Sequence, residues 1–329
     1  MTVVLGEVDL HPLTLNPLPY SFMKMMFSQT LTTIGFISTS YLAIRFLRFV
    51  RIYVRPSSLK RYLCGDDAWA FVTGASDGIG RAFAQELAQN GFNIVLHGRN
   101  PTKLENVKAQ LQIQFPKKDF RILIADASST SYEQIEELVT TLNDFHLTIL
   151  INNVGTAIKV APLEDTTSEE VDAIINTNAR FPTQLTKVLL PKLTQTNRPS
   201  LIMNIGSMGD FCVPYATIYG GSKGFNMTWS SSLAMELKSE GKNVEVLAIS
   251  VGRVTDVSHN KKDASFFTPS SRTIARAALQ RVGCGRPVVV GYVGHALQKF
   301  CVGLLPSSVT SAAVTSLMKG VWKESQKTQ

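Results

Sequence analysis

From residue 68 onward, short apolar runs alternate with amphipathic stretches. Residues 68–73, AWAFVT, run apolar up to Val72 and end in β-branched Val72 and Thr73, which predicts a strand buried on both faces. Residues 80–91, GRAFAQELAQNG, carry apolar positions at helical spacing and stop at Gly91. Further strands are predicted at 93–98, 121–126, 147–153, 200–205, 243–250 and 287–292. Between them fall helices at 101–112, 131–142, about 168–192, one containing residues 219–223 and ending near 239, and 271–282. Pro101 opens one of these, where its missing N–H costs nothing. Such alternation predicts βαβ units, hence an α/β fold with a doubly wound parallel sheet covered on both faces. No internal repeat or low-complexity segment breaks the series.

The chain before residue 68 follows a different pattern. Residues 25–44 carry no charge and have about the length needed to cross a bilayer, though Ser and Thr are frequent among them. Arg45, Arg48, Arg51, Arg55, Lys60 and Arg61 follow, with no acidic residue between. A basic cluster after the apolar run argues against a removable signal peptide and puts the rest of the chain on the cytoplasmic side. The arginine spacing also suits a helix lying in the membrane surface, so spanning and interfacial attachment both stay open. Residues 294–322 are apolar, poor in charge and interrupted by Pro306. They suit a membrane-contacting hairpin or a helix packed on the core. The expected organisation is an anchor segment over 1–60, a catalytic domain over 61–292 and an apolar helical tail over 293–329.

Composition narrows the function. With 329 residues, 44% hydrophobic and 18% charged, the chain can bury a large core. Cys64, Cys212, Cys284 and Cys301 are far apart, which argues against a disulfide framework and a zinc site and fits a reducing compartment. The net charge of +8 is concentrated beside an apolar segment, and no nucleic-acid module is present, so membrane lipid is the expected partner and nucleic acid is not. Asn226-Met227-Thr228 matches a glycosylation acceptor but falls inside a predicted helix, so the match is read as coincidence.

Candidate chemistry begins with Tyr219 and Lys223, one helical turn apart and therefore on one face. A phenol titrates near ~10, and moving it to ~7 takes roughly 4 kcal/mol. A cation about 4 Å away at an effective dielectric near 20 supplies energy of that order. The spacing alone is cheap, since Tyr20 and Lys24 share it. Context is stronger. Residues 73–80, TGASDGIG, lie between the first strand and first helix, the arrangement that cradles a pyrophosphate. Thr73, Gly74, Ser76, Asp77, Gly78, Ile79 and Gly80 are therefore candidate cofactor residues. The second strand ends without the acid that grips a ribose hydroxyl; Arg99, with Lys103 a turn on, suits a 2′-phosphate and points to NADPH.

Together, the T-G-x-x-x-G-x-G loop, NNVG at 152–155, Ser207 and Tyr219-x-x-x-Lys223 resemble the short-chain dehydrogenase/reductase family over about residues 68–292. RPSSLKRY, RNPTKLENV and GYVGHALQKF are similar to its membrane-bound very-long-chain 3-oxoacyl-CoA reductases and 17β-hydroxysteroid dehydrogenase relatives. The resemblance implies a Rossmann fold and a single N-terminal anchor holding a cytosol-facing domain at the endoplasmic reticulum. It also implies that Tyr219 protonates a substrate carbonyl, that Lys223 lowers the pKa of Tyr219 and holds a ribose, and that Ser207 bonds the same carbonyl. Asn178 would steady a water leading to the lysine, with Asn176 a competitor for that role. Asn152 and Gly155 would line the cofactor, Asp126 would meet the adenine, and Thr255 would reach the nicotinamide amide.

Two departures touch substrate recognition. Ser207 precedes Tyr219 by twelve positions where relatives have thirteen, and Val251 stands where the family has proline. The expected activity is NADPH-dependent reduction of a 3-oxoacyl-CoA in fatty acid elongation. Oxosteroid or specialised-metabolite ketone reduction, and a cofactor-binding membrane protein without turnover, stay open. A homodimer or elongation-complex partners stay open. Arg253, Lys261 and Lys262 are candidate contacts for coenzyme A phosphates.

Overall fold

The computed structural model describes residues 19–327, apart from 66, 157–159, 196–197, 211–212 and 258–259. Residues 1–18 of the anchor segment, and Cys212, lie outside the described residues. The chain divides into two compact units, Met1–Val54 and Arg55–Gln329.

In the first unit, α1 (Tyr20–Val54) is one helix of 35 residues in which only Ile52 is buried. At 1.5 Å per residue it is about 50 Å long, more than a hydrocarbon core of about 30 Å requires. Its apolar side chains are exposed on all sides, so no single stripe marks a packed face. It is long and apolar enough to cross a membrane.

The second unit alternates strand and helix. Its strands are β1 (Ala68–Val72), β2 (Asn93–Gly98), β3 (Phe120–Ile124), β4 (His146–Asn152), β5 (Ser200–Ile205), β6 (Val244–Ser250) and β7 (Val288–Val290). The helices between them are α2 (Gly78–Gln89), α3 (Pro101–Gln114), α4 (Tyr132–Thr140), α5 (Ser168–Ile175), α6 (Phe181–Thr194), α7 (Thr217–Ser239) and α8 (Ser271–Gln280). After β7 come α9 (Val293–Gly303) and α10 (Ser307–Lys327).

The sheet has seven strands in the order β3-β2-β1-β4-β5-β6-β7. Every pairing is parallel. Strands β1, β2 and β5 are buried along their whole length, so consecutive apolar residues serve both faces of the sheet. On one face Trp69, Phe71, Leu150 and Ile202 pack with Ile135 of α4, Leu189 of α6 and Leu237 of α7. Helix α2 packs on α8 and against α3. Strand order reverses between β1 and β4, which opens a crevice at their carboxyl ends.

The long helix expected over 168–192 is present, and runs from Ser168 to Thr194 with one π-helical turn inside it, Asn176–Arg180, in which the Phe181 amide reaches back to the Asn176 carbonyl. Pro182 accounts for the widened turn. Without an N–H it cannot bond the Asn178 carbonyl four residues back. That oxygen instead accepts from Asn226 Nδ2 of α7 at 2.9 Å.

Candidate active site

The glycine turn between β1 and α2 is shaped by contact rather than by flexibility. Gly74 has φ +65° and Gly78 φ +55°, both in the left-handed region. A Cβ at Gly80 would lie 2.1 Å from the Gly74 carbonyl oxygen, so only glycine lets α2 start this close to the turn. Asp77 caps the helix by accepting from the Gly78 amide at 2.7 Å. Thr73 lies beneath, buried, its hydroxyl oxygen accepting from the amides of Asn153 at 2.8 Å and Val154 at 2.9 Å. It ties β1 to the end of β4 and does not line the cleft above.

That cleft, about 540 Å³, is lined by Gly74, Ser76, Asp77, Gly78 and Ile79 at the turn and by Arg99, Lys103 and Asp126 at its far end. Volumes of this order suit a dinucleotide-sized ligand. Arg99 Nη1 lies 3.6 Å from Asp126 Oδ2, and the arginine side chain is 77% exposed. Burial works to raise the pKa of Asp126, but bonds from the Ser128 amide and hydroxyl, with Arg99, outweigh it and hold the carboxyl below its usual range. The near wall is Asn153, Val154, Gly155 and Thr156. Asn152 is not part of it: its side chain is buried among Thr186 and Asn204, donating at 2.9 and 2.8 Å.

Beyond Gly155 stand the predicted catalytic residues. A Cβ at Gly155 would lie 3.1 Å from Lys223 Nζ and 3.3 Å from Asn178 Oδ1, so this glycine separates the cleft from both groups. Asn178 accepts from the Thr156 amide at 2.8 Å and donates to Ser222 Oγ at 3.0 Å. Asn176 bonds the Ser128 carbonyl at 3.0 Å and holds the loop after β3, away from the lysine. Lys223 is buried, and its Nζ donates to the Ile205 carbonyl at 3.1 Å. Burial brings its pKa down to about 8. Tyr219 and Ser207 both border Gly209, where the Ser207 hydroxyl works to lower the phenol's pKa.

The direction of the Tyr219 shift corrects the sequence expectation. Burial raises its pKa above the phenol value, and the Ser207 hydroxyl offsets part of that rise. The ammonium that was to lower it is engaged with a main-chain carbonyl, 5.9 Å from the ring centre. Thr255 is also placed differently. It is buried, and its hydroxyl donates to the Lys262 carbonyl instead of facing the cleft.

Residues 68–265 match the model of the family described as short chain dehydrogenase. The chain belongs to the short-chain dehydrogenase family. It is 33% identical over 243 residues to the very-long-chain 3-oxoacyl-CoA reductase of Scheffersomyces stipitis, covering 71% of this chain and 69% of that one. Against the protein of the same name from Kluyveromyces lactis it is 33% identical over 283 residues, covering 82% and 81%. A solved short-chain dehydrogenase from Sphingobium yanoikuyae in complex with NADPH superposes with a TM-score of 0.59 at 25% identity, covering 72% of this chain and 94% of that one. The protein is therefore an oxidoreductase using a nicotinamide cofactor, and its glycine turn, cleft and buried lysine fit that group.

Several residues of this short-chain dehydrogenase site escaped sequence reading. Asn153, not Asn152, faces the cleft, because successive strand-end side chains point to opposite sides. Val257 and His97 also line it. His97 is fully buried, stacks on Phe181 at 5.0 Å, and is held neutral with a pKa near 4 by that burial. Asn226, set aside above as a chance match, holds the π-turn that carries Asn178. Pro182 was the available signal.

Proposed function

We propose that this chain is a membrane-attached, NADPH-dependent reductase that converts a 3-oxoacyl-CoA to a 3-hydroxyacyl-CoA in fatty acid elongation. The observation that carries the reading is the meeting of Ser207 and Tyr219 at Gly209, with buried Lys223 behind Gly155 at the end of the cleft. NADPH, when bound, supplies hydride to the ketone carbon. Tyr219 holds the proton that the reduced oxygen takes up, and its raised pKa keeps it protonated near neutrality. Ser207 bonds the same oxygen and orients it. Lys223 presents a cation whose pKa near 8 lets it pass a proton inward, and Asn178 fixes the loop at Thr156 that borders it.

Choice of the phosphorylated cofactor is supported by Arg99 and Lys103 at the far end of the cleft, with no acid following β2. A 2′-phosphate would draw Arg99 from its exposed pairing with Asp126, which holds it weakly. The substrate class is supported by the printed names of the fungal relatives. Exposed Arg253, Lys261 and Lys262, in the loop after β6, carry charge suited to coenzyme A phosphates. Attachment rests on α1, and the endoplasmic reticulum with a cytosolic catalytic unit follows from the elongation role. Membranes carrying the protein are expected to oxidise NADPH with 3-oxoacyl-CoAs and not with buffer alone. Turnover of oxosteroids only would reject the elongation role, and turnover of no ketone would reject the enzyme reading.

A further inference from the structure

Two helices follow β7 that the reaction just described does not use. Helix α9 is fixed to the loop after β6 by His295. Its Nδ1 accepts from the Gly252 amide at 3.0 Å, and its Nε2 lies 3.1 Å from the Arg253 carbonyl. An accepting Nδ1 leaves the proton on Nε2, so both ring nitrogens are committed to that loop. The loop in turn borders the reaction centre, because the Met208 amide, next to Ser207, donates to the Val251 carbonyl at 2.8 Å. Helix α10 is fixed to the other substrate loop. Trp322 stacks on Tyr215 with ring centres 5.5 Å apart and 20° between planes. Tyr215 lies between Ser207 and Tyr219 and is held at φ 62°, a costly conformation for a residue with a side chain. The pair α9–α10 therefore grips both loops that flank the reacting hydroxyls.

The outer surface of this pair is apolar. On α9 and at its cap, Val293, Leu297, Phe300 and Leu304 are spaced by four, three and four, one helical face, with Phe300 60% and Leu304 69% exposed. No residue of α10 is buried. Its half-buried positions recur at 310, 314, 318 and 322, and an exposed apolar stripe, Val309, Leu317 and Val321, runs beside them. Phe266 and Phe267, at 52% and 46% exposure, extend the surface next to Tyr292 at the start of α9. Between residues 293 and 327 the charges are Lys299, Lys319, Lys323 and Lys327 against Glu324.

Length decides how such a surface meets lipid. With 11 residues, α9 is about 16 Å long, half of a hydrocarbon core, and the chain turns through 119° into α10. The pair can enter one leaflet but α9 cannot span, and the excess of lysine suits anionic headgroups. A second copy would set these lysines against one another. We propose that α9–α10 is a strap seated in one leaflet of an anionic bilayer, holding the two substrate loops in place through His295 and Trp322. If the substrate is the acyl-CoA read above, its chain then reaches the site from the lipid beside those loops.

The exposed thiol of Cys301 on α9 reports the seat directly. Full-length protein carrying Cys64→Ser, Cys212→Ser and Cys284→Ser is labelled there with an environment-sensitive fluorophore in phosphatidylcholine–phosphatidylserine vesicles. Doxyl-labelled lipid is expected to quench it severalfold more than a label at Ile113→Cys in a Cys301→Ser background, with iodide giving the reverse order. Equal iodide quenching at both positions would overturn the seat. For the coupling, Trp322→Ala is expected to raise amide exchange over residues 213–216 severalfold, with Trp322→Phe restoring protection; unchanged exchange overturns it. Neither measurement needs turnover, so both survive failure of the substrate reading. The route is tested by Leu304→Asp, expected to raise KM severalfold for long-chain 3-oxoacyl-CoAs and not for short ones. An equal rise for both overturns the route, whereas an inactive wild type overturns the substrate assignment instead.

Discussion

Lys223 Nζ donates to the carbonyl oxygen of Ile205 at 3.1 Å while standing 5.9 Å from the centre of the Tyr219 ring. The lysine is thus held by the end of β5, and its charge is carried in a buried place. With the folded pKa down near 8 and the unfolded value at 10.5, the unfolded chain binds the extra proton between those limits. Stability therefore rises with pH across that window, and the cost of burying the cation is fully felt below it. Between about pH 7 and pH 10 the wild type is expected to gain about 2 kcal/mol relative to Lys223→Met, read from denaturant midpoints. Parallel curves for the two proteins would reject a buried charge at this position.

Tyr219 and Ser207 meet at Gly209, so their variants should separate proton supply from binding. Tyr219→Phe is expected to lower turnover by about 10² to 10⁴ while NADPH affinity is kept. Ser207→Ala removes the hydroxyl that lowers the phenol pKa, so the alkaline limb of the pH–rate profile moves to higher pH. Stopped-flow rates and cofactor titrations check both, and an unchanged rate in Tyr219→Phe would reject the acid role.

Arg99 tests cofactor choice. Arg99→Ala is expected to weaken NADPH by about 10- to 100-fold, the worth of a charge-assisted contact, and to leave NADH nearly unaffected. Equal losses measured by titration of both cofactors would place the 2′-phosphate elsewhere.

Glu86 of α2, nearly buried, pairs with Arg272 at 2.7 Å and Arg276 at 3.1 Å, both on α8. Burial works to raise its pKa, but the Arg276 and Arg272 contacts outweigh it and the net shift is downward. A depressed carboxyl stabilises the fold above its unfolded pKa and loses that contribution as pH falls through the folded value. Glu86→Gln is expected to cost about 2 kcal/mol at neutral pH, with the difference shrinking in acid. Chemical denaturation at several pH values measures it.

What the sequence by itself determined is what local chemistry controls. Strand β5 runs over Ser200–Ile205 as its apolar run indicates, and α3 begins at Pro101, because burial on both faces and a missing N–H act within a few residues. The glycine turn was legible for the same reason: Gly74 and Gly78 answer a local demand for positive φ. The alternation of strand and helix carried the parallel sheet, since only a crossover helix joins parallel neighbours. Tertiary structure alone decided the partners. The strand order, the bond from Asn226 that replaces the one Pro182 cannot make, and the Ile205 carbonyl beneath Lys223 join residues far apart in the chain. So does the direction of the Tyr219 shift, for burial is a property of everything packed around a group, and no spacing of four residues encodes it.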